Sequence, residues 1–448
     1  MFIVLSLFTL YLFVVGYVPT SFSRAKGGLL EQAALSIGIG ILINYCLMLT
    51  GQTITRVFIA GMILALWGVL RFCTDLRVRS ADRTGEYKKT VFSVCCITLI
   101  LVVYYLAIFS EPLLRWDARS IWFFHAKMIW AEGALRQSAG WNHPSLAFSN
   151  PDYPNLVPAI AAQLGYVKGY WNEFLPKGSL FVMLVPLTLW VFSFCRKSLS
   201  FILLLLTFLF SLDGWLLNGY MDGYLVLYSG MALLLFGRYL SDRRDVDLYS
   251  GMCALGIGAN LKNEGLLFGL CLISALLIMS LRSPAFSLRQ CAKRVRTDSV
   301  FARVLLLSIA PAVMWMICTH AWGLQNDLTA SPSGVLLRLA DRLFDGSSPQ
   351  YVLHFLMVRA SAAWMVTGLL AAAVMFSVHQ RLKLPRGALV AATTSALYVG
   401  GLYVVYLSTP HDILTFYLFT SATRTMTTAS VALFVGVFFL LTGLEVKA

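Results

Sequence analysis

A long polar stretch, residues 111–155, holds much of what could do chemistry in this chain. Asp117 lies within it in the segment WDARSIW, just after an apolar run. A carboxylate there can act as a general base that takes a proton from an attacking hydroxyl, or as a metal ligand. The alternative is structural, because Asp followed by Ala-Arg-Ser-Ile can be the N-cap of an amphipathic helix over 118–135. Loops this long are usually functional or disordered, and the aromatic content argues against disorder.

Asp152 and Tyr153 stand between two prolines in the segment NPDYPNLVP, residues 150–158. Residues before proline avoid the helical conformation, so the segment is predicted to be extended. One interpretation is a rigid finger that places Asp152 and Tyr153 over a substrate. The other is a turn that leads into a helix over 155–167, which is too short to span a membrane.

Two further segments carry ionisable residues at the predicted ends of apolar helices. Asp222 lies in NGYMDGY, where it either faces a cavity or caps a helix. In LKNEG, Lys262 and Glu264 lie two positions apart in a turn between helices. Lys262 either neutralises a phosphate or pairs with Glu264.

Arg424 ends the segment TPHDILTFYLFTSATR, just before the last apolar run. A guanidinium group is always charged and suits phosphate binding, whereas the alternative is snorkelling to lipid headgroups. His411 and Asp412 are either a functional pair or a turn after Pro410. The tryptophans of this chain suit sugar stacking as well as an interfacial aromatic belt.

Composition places the chain in a membrane. It is 58% hydrophobic and 12% charged, with a mean hydropathy of +0.75, which is far above the values of soluble globular proteins. The nine cysteines lie in apolar runs or basic loops, so neither a disulfide framework nor a zinc site is indicated. Walker-type loops, dinucleotide glycine motifs and HExxH helices are all lacking, which leaves no site for ATP hydrolysis.

Helix length predicts about thirteen membrane spans, each of roughly 17–25 residues or somewhat fewer where buried. The predicted spans are 2–18, 34–51, 56–72, 90–109, 178–195, 199–212, 219–240, 248–261, 264–281, 303–320, 351–378, 387–408 and 425–443. Loops alternate in Lys and Arg content, and the positive-inside rule assigns the basic set to the cytoplasm. The N-terminus and every polar segment above are then outside, and the C-terminus is inside. The net charge of +14 reflects this topology and anionic lipid rather than nucleic acid.

The order and spacing of these segments across residues 110–424 resemble those of the GT-C class of integral-membrane glycosyltransferases, which use polyprenyl-phosphate-linked sugars. The segments that carry the resemblance are WDARSIW, NPDYPNLVP, NGYMDGY, GIGANLKNEG and TPHDILTFYLFTSATR. The resemblance implies an all-α transmembrane bundle whose first large outer loop supplies a catalytic acid, here Asp117, with Asp152 as a second candidate. It also implies that basic residues of outer loops, here Lys262 and Arg424, hold the lipid phosphate.

The chain departs from the GT-C pattern in two respects. The class usually places its catalytic Asp after the first transmembrane helix, whereas three additional spans precede it here. We therefore predict an N-terminal three-helix membrane extension, 1–89, and a GT-C-like catalytic domain, 90–448, with outer loop 111–177 between spans four and five. No sizeable soluble domain follows the last span, so membrane loops are expected to recognise the acceptor.

The predicted activity is transfer of a sugar from a polyprenyl-phosphate carrier to a glycan, glycolipid or protein acceptor, with inversion. The predicted location is the periplasmic or outer face of a bacterial plasma membrane. No metal site is assigned, and participation of a divalent cation stays open. The residues predicted to contact substrate are Trp116, Arg119, Tyr153, Asp222, Glu264 and His411.

Three other functions are compatible with parts of the pattern. A secondary transporter or a lipid-linked sugar flippase would suit the broken helices near 248–281, but needs ionisable groups reachable from both faces. A ligase or polymerase of envelope polysaccharide would share the polyprenyl partner and the large outer loop. A structural membrane protein would not need so many acids and bases on one face.

Overall fold

The chain folds as a bundle of helices. The computed structural model describes residues 1–20, 28–79, 87–136, 141, 143–194, 215–282, 288–324, 332–359, 361–379 and 384–445. No β-strand occurs among these residues, and one isolated antiparallel bridge joins Thr53 to Ala134. A helix pairs its own backbone N–H and C=O groups, for which lipid offers no hydrogen-bonding partners. The predicted all-α fold is confirmed.

Seventeen α-helices are numbered here in chain order over the described residues. Those in the first half are α1 Phe2–Thr20, α2 Leu29–Leu49, α3 Ile54–Arg79, α4 Tyr87–Ser110, α5 Phe123–Glu132, α6 Leu156–Lys168 and α7 Gly178–Phe194. Those in the second half are α8 Asp222–Asp242, α9 Asp245–Ala259, α10 Asn263–Arg282, α11 Leu288–Thr297, α12 Ser299–Ala321, α13 Pro332–Phe344, α14 Ser348–Arg359, α15 Ser361–His379, α16 Arg386–Ser408 and α17 His411–Glu445.

Nine helices in the described part of the chain are long and apolar enough to cross a membrane. They lie within α1, α2, α3, α4, α8, α10, α12, α16 and α17. The prediction of a multi-pass helical membrane protein is confirmed in this form, whereas the count of about thirteen spans stays a prediction. Span 199–212 lies outside the described residues. Within span 351–378 the described residues on both sides of residue 360 are helical, as α14 and α15, and residue 360 itself lies outside the described residues.

The exposure of apolar side chains distinguishes central helices from peripheral ones. α8 is buried along its whole length, whereas α3 and α4 present most of their apolar surface outward. Leu66 of α3 and Leu99 of α4, for example, are each 65% exposed. Long leucine-rich faces open to the surroundings are stable in lipid and unfavourable in water. We call the end of the bundle at which α8 begins and α9 ends the upper end, and the opposite end the lower end.

The turn between α9 and α10 falls at LKNEG, as predicted from the sequence. α9 is followed by a short turn over 260–262, and α10 begins at Asn263. A side chain at Gly265 would place its Cβ 2.0 Å from the carbonyl oxygen of Gly258, so only glycine allows the two helices to approach this closely. The turn therefore holds Lys262 at the upper end, beside the start of α8.

The first three helices share one apolar core with the rest of the described chain. α2 packs against α7, α9 and α12, so it lies within the bundle rather than beside it. Asn44 of α2 donates to Gln163 of α6 at 2.8 Å, and Tyr45 accepts from the backbone N–H of Asn155 at 3.0 Å. These bonds attach the outer loop to α2. The division into domains at residue 89 stays a prediction.

Candidate active site

A network of ion pairs lies at the upper end of the bundle. The ammonium Nζ of Lys262 is 3.0 Å from Oδ1 of Asp222 and 3.2 Å from Oε1 of Glu264. The capping alternative for Asp222 does not hold, because Asp222 is already within the first turn of α8 and no side-chain cap bond is formed there. The predicted salt bridge between Lys262 and Glu264 is present, with Asp222 as an additional partner.

Arg424 of α17 extends the network to the outer loop. Its Nη1 donates to Oδ2 of Asp117 and lies 3.5 Å from Oδ2 of Asp222. The Arg424 side chain is only 12% exposed. A snorkelling arginine would place its guanidinium group in water or among headgroups, so the snorkelling alternative is wrong. We call Asp117, Asp222, Lys262, Glu264 and Arg424 the upper network.

The backbone around Asp117 explains how its side chain reaches Arg424. Asp117 directly precedes a π-helical turn, Ala118–Trp122, which continues into α5. Its own backbone is already helical, with φ −58° and ψ −36°, and its side chain forms no capping hydrogen bond. The N-cap alternative is therefore wrong, and the carboxylate is available to the network. π-Helical turns are rare and occur often at functional sites.

The proline-bracketed segment lies against the same network. Asp152 accepts a hydrogen bond at Oδ2 from Nδ2 of Asn263 at 2.8 Å. Its backbone carbonyl accepts from Nε1 of Trp315 at 3.0 Å. The Tyr153 ring stacks on Trp122, with centroids 5.5 Å apart and planes 17° from parallel. The backbone N–H of Tyr153 donates to the carbonyl of Asn150 at 3.0 Å, so residues 150–153 form a turn, and α6 begins at Leu156. The alternative of a turn that leads into a helix is therefore confirmed, and the predicted extended conformation is wrong at Pro151 and Asp152. The placement of Asp152 and Tyr153 over a substrate stays a prediction.

Tyr153 also faces the charged groups of the network. The ammonium of Lys262 lies 5.9 Å from the centre of its ring, within the range of a cation–π contact. Burial of the phenol, together with the nearby carboxylates of Glu264 and Asp152, raises the pKa of Tyr153 well above its usual value. Its hydroxyl therefore stays protonated and can donate a hydrogen bond.

Burial divides the network into a centre and an edge. The Asp222 and Lys262 side chains are 3% and 4% exposed, whereas Glu264 and Asp117 are 19% and 16% exposed. Burial opposes the charge of Lys262, but the carboxylates of Asp222 and Glu264 outweigh it and raise the pKa of Lys262. The central pair therefore stays ionised, and Asp117 and Glu264 are the two carboxylates of the upper network that are partly exposed.

Sequence reasoning missed four residues that hold the network in place. Asn263 and Trp315 bind Asp152, as described above. The guanidinium of Arg424 lies 5.0 Å from the ring centre of Tyr220 and 5.8 Å from that of Trp215. Asn263 lies in LKNEG and Tyr220 in NGYMDGY, two segments already identified from the sequence, so their position in the chain could have marked them as site residues. Trp315 lies in an apolar helix, and nothing in its local sequence marks it as a site residue.

Two predicted substrate residues, Trp116 and Arg119, are outside the upper network. Trp116 is 69% exposed and Arg119 is also exposed, although both flank Asp117 closely in the chain. The side chains of His411 and Asp412 lie outside the described residues. The structure thus brings together Asp117, Asp152, Tyr153, Asp222, Lys262, Glu264 and Arg424 among the predicted site residues.

A buried histidine, His125, helps to hold the polar loop in place. Nδ1 of His125 lies 2.9 Å from Oδ1 of Asn155, and the side chain is fully buried. Burial lowers the pKa of His125 to about 4, so the imidazole is neutral at physiological pH. It shares a ring contact with Trp141, at 5.0 Å between centroids. These contacts assign His125 a structural role.

The carboxylates of the upper network are interleaved with cations. Lys262 lies between Asp222 and Glu264, and Arg424 lies between Asp117 and Asp222. Over the residues that the structure describes, no group of three or more His, Cys, Asp or Glu side chains could hold a metal ion. Involvement of a divalent cation stays an open prediction.

A second network of buried charges lies at the lower end and was not predicted. Nη2 of Arg238 is 3.1 Å from Oε1 of Glu31 and 2.5 Å from Oδ1 of Asp247. Arg244 also pairs with Glu31. We call these four residues the lower network. By the positive-inside rule Arg238 and Arg244 belong to the basic loops that are assigned to the cytoplasm, and charge counting cannot detect their partners. α8 contributes to both networks, with Asp222 in the upper one and Arg238 in the lower one.

Comparison of the chain with protein-family models, with curated proteins and with solved structures gives no match. The functional assignment therefore depends on the residues and geometry described above.

Proposed function

We propose that the chain is a membrane glycosyltransferase that moves a sugar from a polyprenyl-phosphate carrier to an envelope acceptor at the upper end of the bundle. The observation that carries the proposal is the convergence of the upper network. Asp117 and Arg424 are 307 positions apart in the chain and Asp222 and Lys262 are 40 apart, yet all four contact one another in a continuous set of ion pairs. Clusters of this kind in a membrane protein are functional far more often than structural.

In the proposed reaction Asp117 is the general base. Its carboxylate takes the proton of the acceptor hydroxyl, whose oxygen then attacks the anomeric carbon. The bond from that carbon to the phosphate oxygen breaks, the electron pair leaves with the lipid phosphate, and the anomeric configuration inverts. Asp117 suits this role because it is one of the two partly exposed carboxylates of the network and is the one held in position by Arg424.

The charge balance of the site suits a glycosyl transition state. The upper network has three carboxylates against two cations, and a further carboxylate, Asp152, lies beside it. Positive charge develops on the sugar ring as the glycosidic bond breaks, and nearby carboxylates stabilise it. Arg424 adds a donor for the leaving phosphate, since among the described residues no acceptor is found for its Nη2 group. The periplasmic location remains part of the proposal.

The decisive test is transfer of radiolabel from a polyprenyl-phosphate sugar to membrane acceptors by the full chain in membranes. Asp117→Asn is expected to lower the transfer rate by about 100-fold or more, which is the usual effect of losing a general base. Glu111→Gln is the matched control, because Glu111 is an exposed acid in the same loop. Equal transfer by wild type and Asp117→Asn would contradict the proposal.

A secondary transporter or lipid-linked sugar flippase is the second candidate, and the lower network favours it. Alternating access needs groups that can open at either end, and α8 carries an ion pair at each end. Glu31→Gln separates the two candidates. A glycosyltransferase that folds normally should keep its transfer rate in this variant, whereas a transporter should lose movement of labelled lipid across the bilayer.

A further inference from the structure

Helix α13 has an unusual distribution of side chains. Its apolar residues Leu336, Leu337 and Phe344 are 72%, 65% and 87% exposed. Its charged residues Arg338 and Arg342 lie four positions apart on one face, and Arg342 is completely buried. A helix with its leucines outside and its arginines inside is stable only where the surroundings are apolar. α13 is therefore placed for contact with lipid.

The two arginines face the end of α16. Nη1 of Arg342 donates to the backbone carbonyls of Tyr406 and Leu407, at 3.1 and 2.9 Å. Nε of Arg338 donates to the carbonyl of Ser408 at 2.9 Å. Cations at a helix C-terminus satisfy its last carbonyls and interact favourably with its dipole. These contacts satisfy the hydrogen-bonding capacity of one nitrogen in each guanidinium group, Nη1 of Arg342 and Nε of Arg338.

Three of the remaining nitrogens are buried without an acceptor among the described residues: Nε and Nη2 of Arg342 and Nη2 of Arg338. Burial and the neighbouring charge of Arg338 lower the pKa of Arg342, and the carboxylate of Asp345 offsets this only in part. Unpaired buried charges of one sign cost several kcal/mol unless an opposite charge completes the site. Lys262 and Arg424, in contrast, are already neutralised by carboxylates.

We propose that Arg338 and Arg342 form an anion site that binds the phosphate group of a membrane lipid with a net negative headgroup. Guanidinium groups bind phosphate oxygens through paired N–H donors, which matches the nitrogens left over here. The exposed leucines of α13 would lie beside the acyl chains of the same lipid. This site does not depend on the proposed glycosyl transfer.

The site is linked to the upper network through one residue. Tyr406, whose carbonyl binds Arg342, places its hydroxyl 2.8 Å from Ser421 and 3.2 Å from Thr425 of α17. Thr425 directly follows Arg424 in that helix. Tyr406 therefore contacts both Arg342 and α17, the helix that carries Arg424.

The test is the thermal unfolding midpoint of the purified full chain in a neutral detergent, with and without added ligand. Short-chain phosphatidic acid, short-chain phosphatidylcholine and inorganic phosphate are the three probes. Phosphatidic acid is expected to raise the midpoint of the wild type, because a ligand that binds only the folded state stabilises it. Arg338→Gln and Arg342→Gln are each expected to weaken binding by on the order of 10-fold. Arg115→Gln, which removes an exposed arginine, should bind as the wild type does.

Because Arg342 also caps α16, Arg342→Gln is expected to unfold earlier even without ligand. The ligand-dependent change in midpoint is therefore the readout, and Arg338→Gln is the milder second variant. A response to inorganic phosphate alone would support the anion site and overturn the lipid as its source. A wild type that responds to no probe, or equally to phosphatidylcholine, would overturn the proposal. Equal responses in both glutamine variants and the wild type would do the same.

Discussion

Asp117 and Arg424 form an ion pair at the upper end of the bundle, which ties the start of the outer loop to the last helix. Both side chains are largely buried, at 16% and 12% exposed. Neither residue has the ordinary role expected from its local sequence, since Asp117 forms no capping bond and Arg424 does not extend to the headgroups. The pair therefore needs an explanation in terms of function, and its energetic coupling can be measured.

A double-mutant cycle on Asp117 and Arg424 should reveal strong coupling. Asp117→Asn and Arg424→Gln are each expected to destabilise the protein, because each leaves a partly buried charge without its partner. The double variant should lose less free energy of unfolding than the sum of the losses in the two single variants. The difference, which is the coupling energy, should be about 0.5–3 kcal/mol. Chemical unfolding in detergent measures this. The same cycle with Glu111→Gln in place of Asp117→Asn should be additive, and coupling of equal size there would contradict a specific pair.

The buried pair Asp222–Lys262 should matter far more to stability than an exposed one. Lys262→Met leaves the Asp222 carboxylate buried without its closest cation, which typically costs about 3–5 kcal/mol. Adding Asp222→Asn should recover part of that loss. Arg294→Gln is the control, since its pair with Asp245 at 2.8 Å is 35–40% exposed and should contribute less than about 1 kcal/mol. Similar losses for Lys262→Met and Arg294→Gln would show that the upper network is not energetically central.

His125 should make folding stability depend on pH below neutrality. Burial lowers its pKa from 6.5 to about 4, so between these values the unfolded chain binds a proton that the folded chain does not. Stability therefore falls as the pH falls from 6.5 to 4, by up to about 1.4 kcal/mol per pH unit. His125→Gln should flatten this part of the profile, whereas His143→Gln, at an exposed position in the same loop, should leave it unchanged. An unaltered slope in His125→Gln would assign the effect to other groups.

Tyr153 should act through its hydroxyl as well as its ring. Tyr153→Phe keeps the stack on Trp122 and the ring contact with Lys262, and removes only the hydroxyl. We expect normal stability with weaker binding of the labelled sugar donor, by roughly 10-fold if the hydroxyl donates to a charged group. Tyr153→Leu should also lose the stacking, worth about 0.5–1.5 kcal/mol of stability. Donor binding that is unchanged in Tyr153→Phe would limit Tyr153 to a packing role.

Hydropathy and local pattern were enough to predict most of the helices. The apolar runs that became α1, α2, α8 and α16 are long and uninterrupted, and lipid leaves the backbone no alternative to helix. The turn at LKNEG was also predictable, because a single helix would have placed Lys262 in the middle of the membrane.

The sequence by itself determined which residues could do chemistry, because charged groups beside apolar helices are costly and few. Asp117, Asp222, Lys262 and Arg424 were each identified in this way, but their local alternatives could not be separated. Only the tertiary structure decided between them, since pairing across 307 positions depends on how helices pack and leaves no local signal. The same limit applies to the lower network and to α13. Whether an arginine faces lipid, water or a buried carboxylate is a property of its neighbours in space.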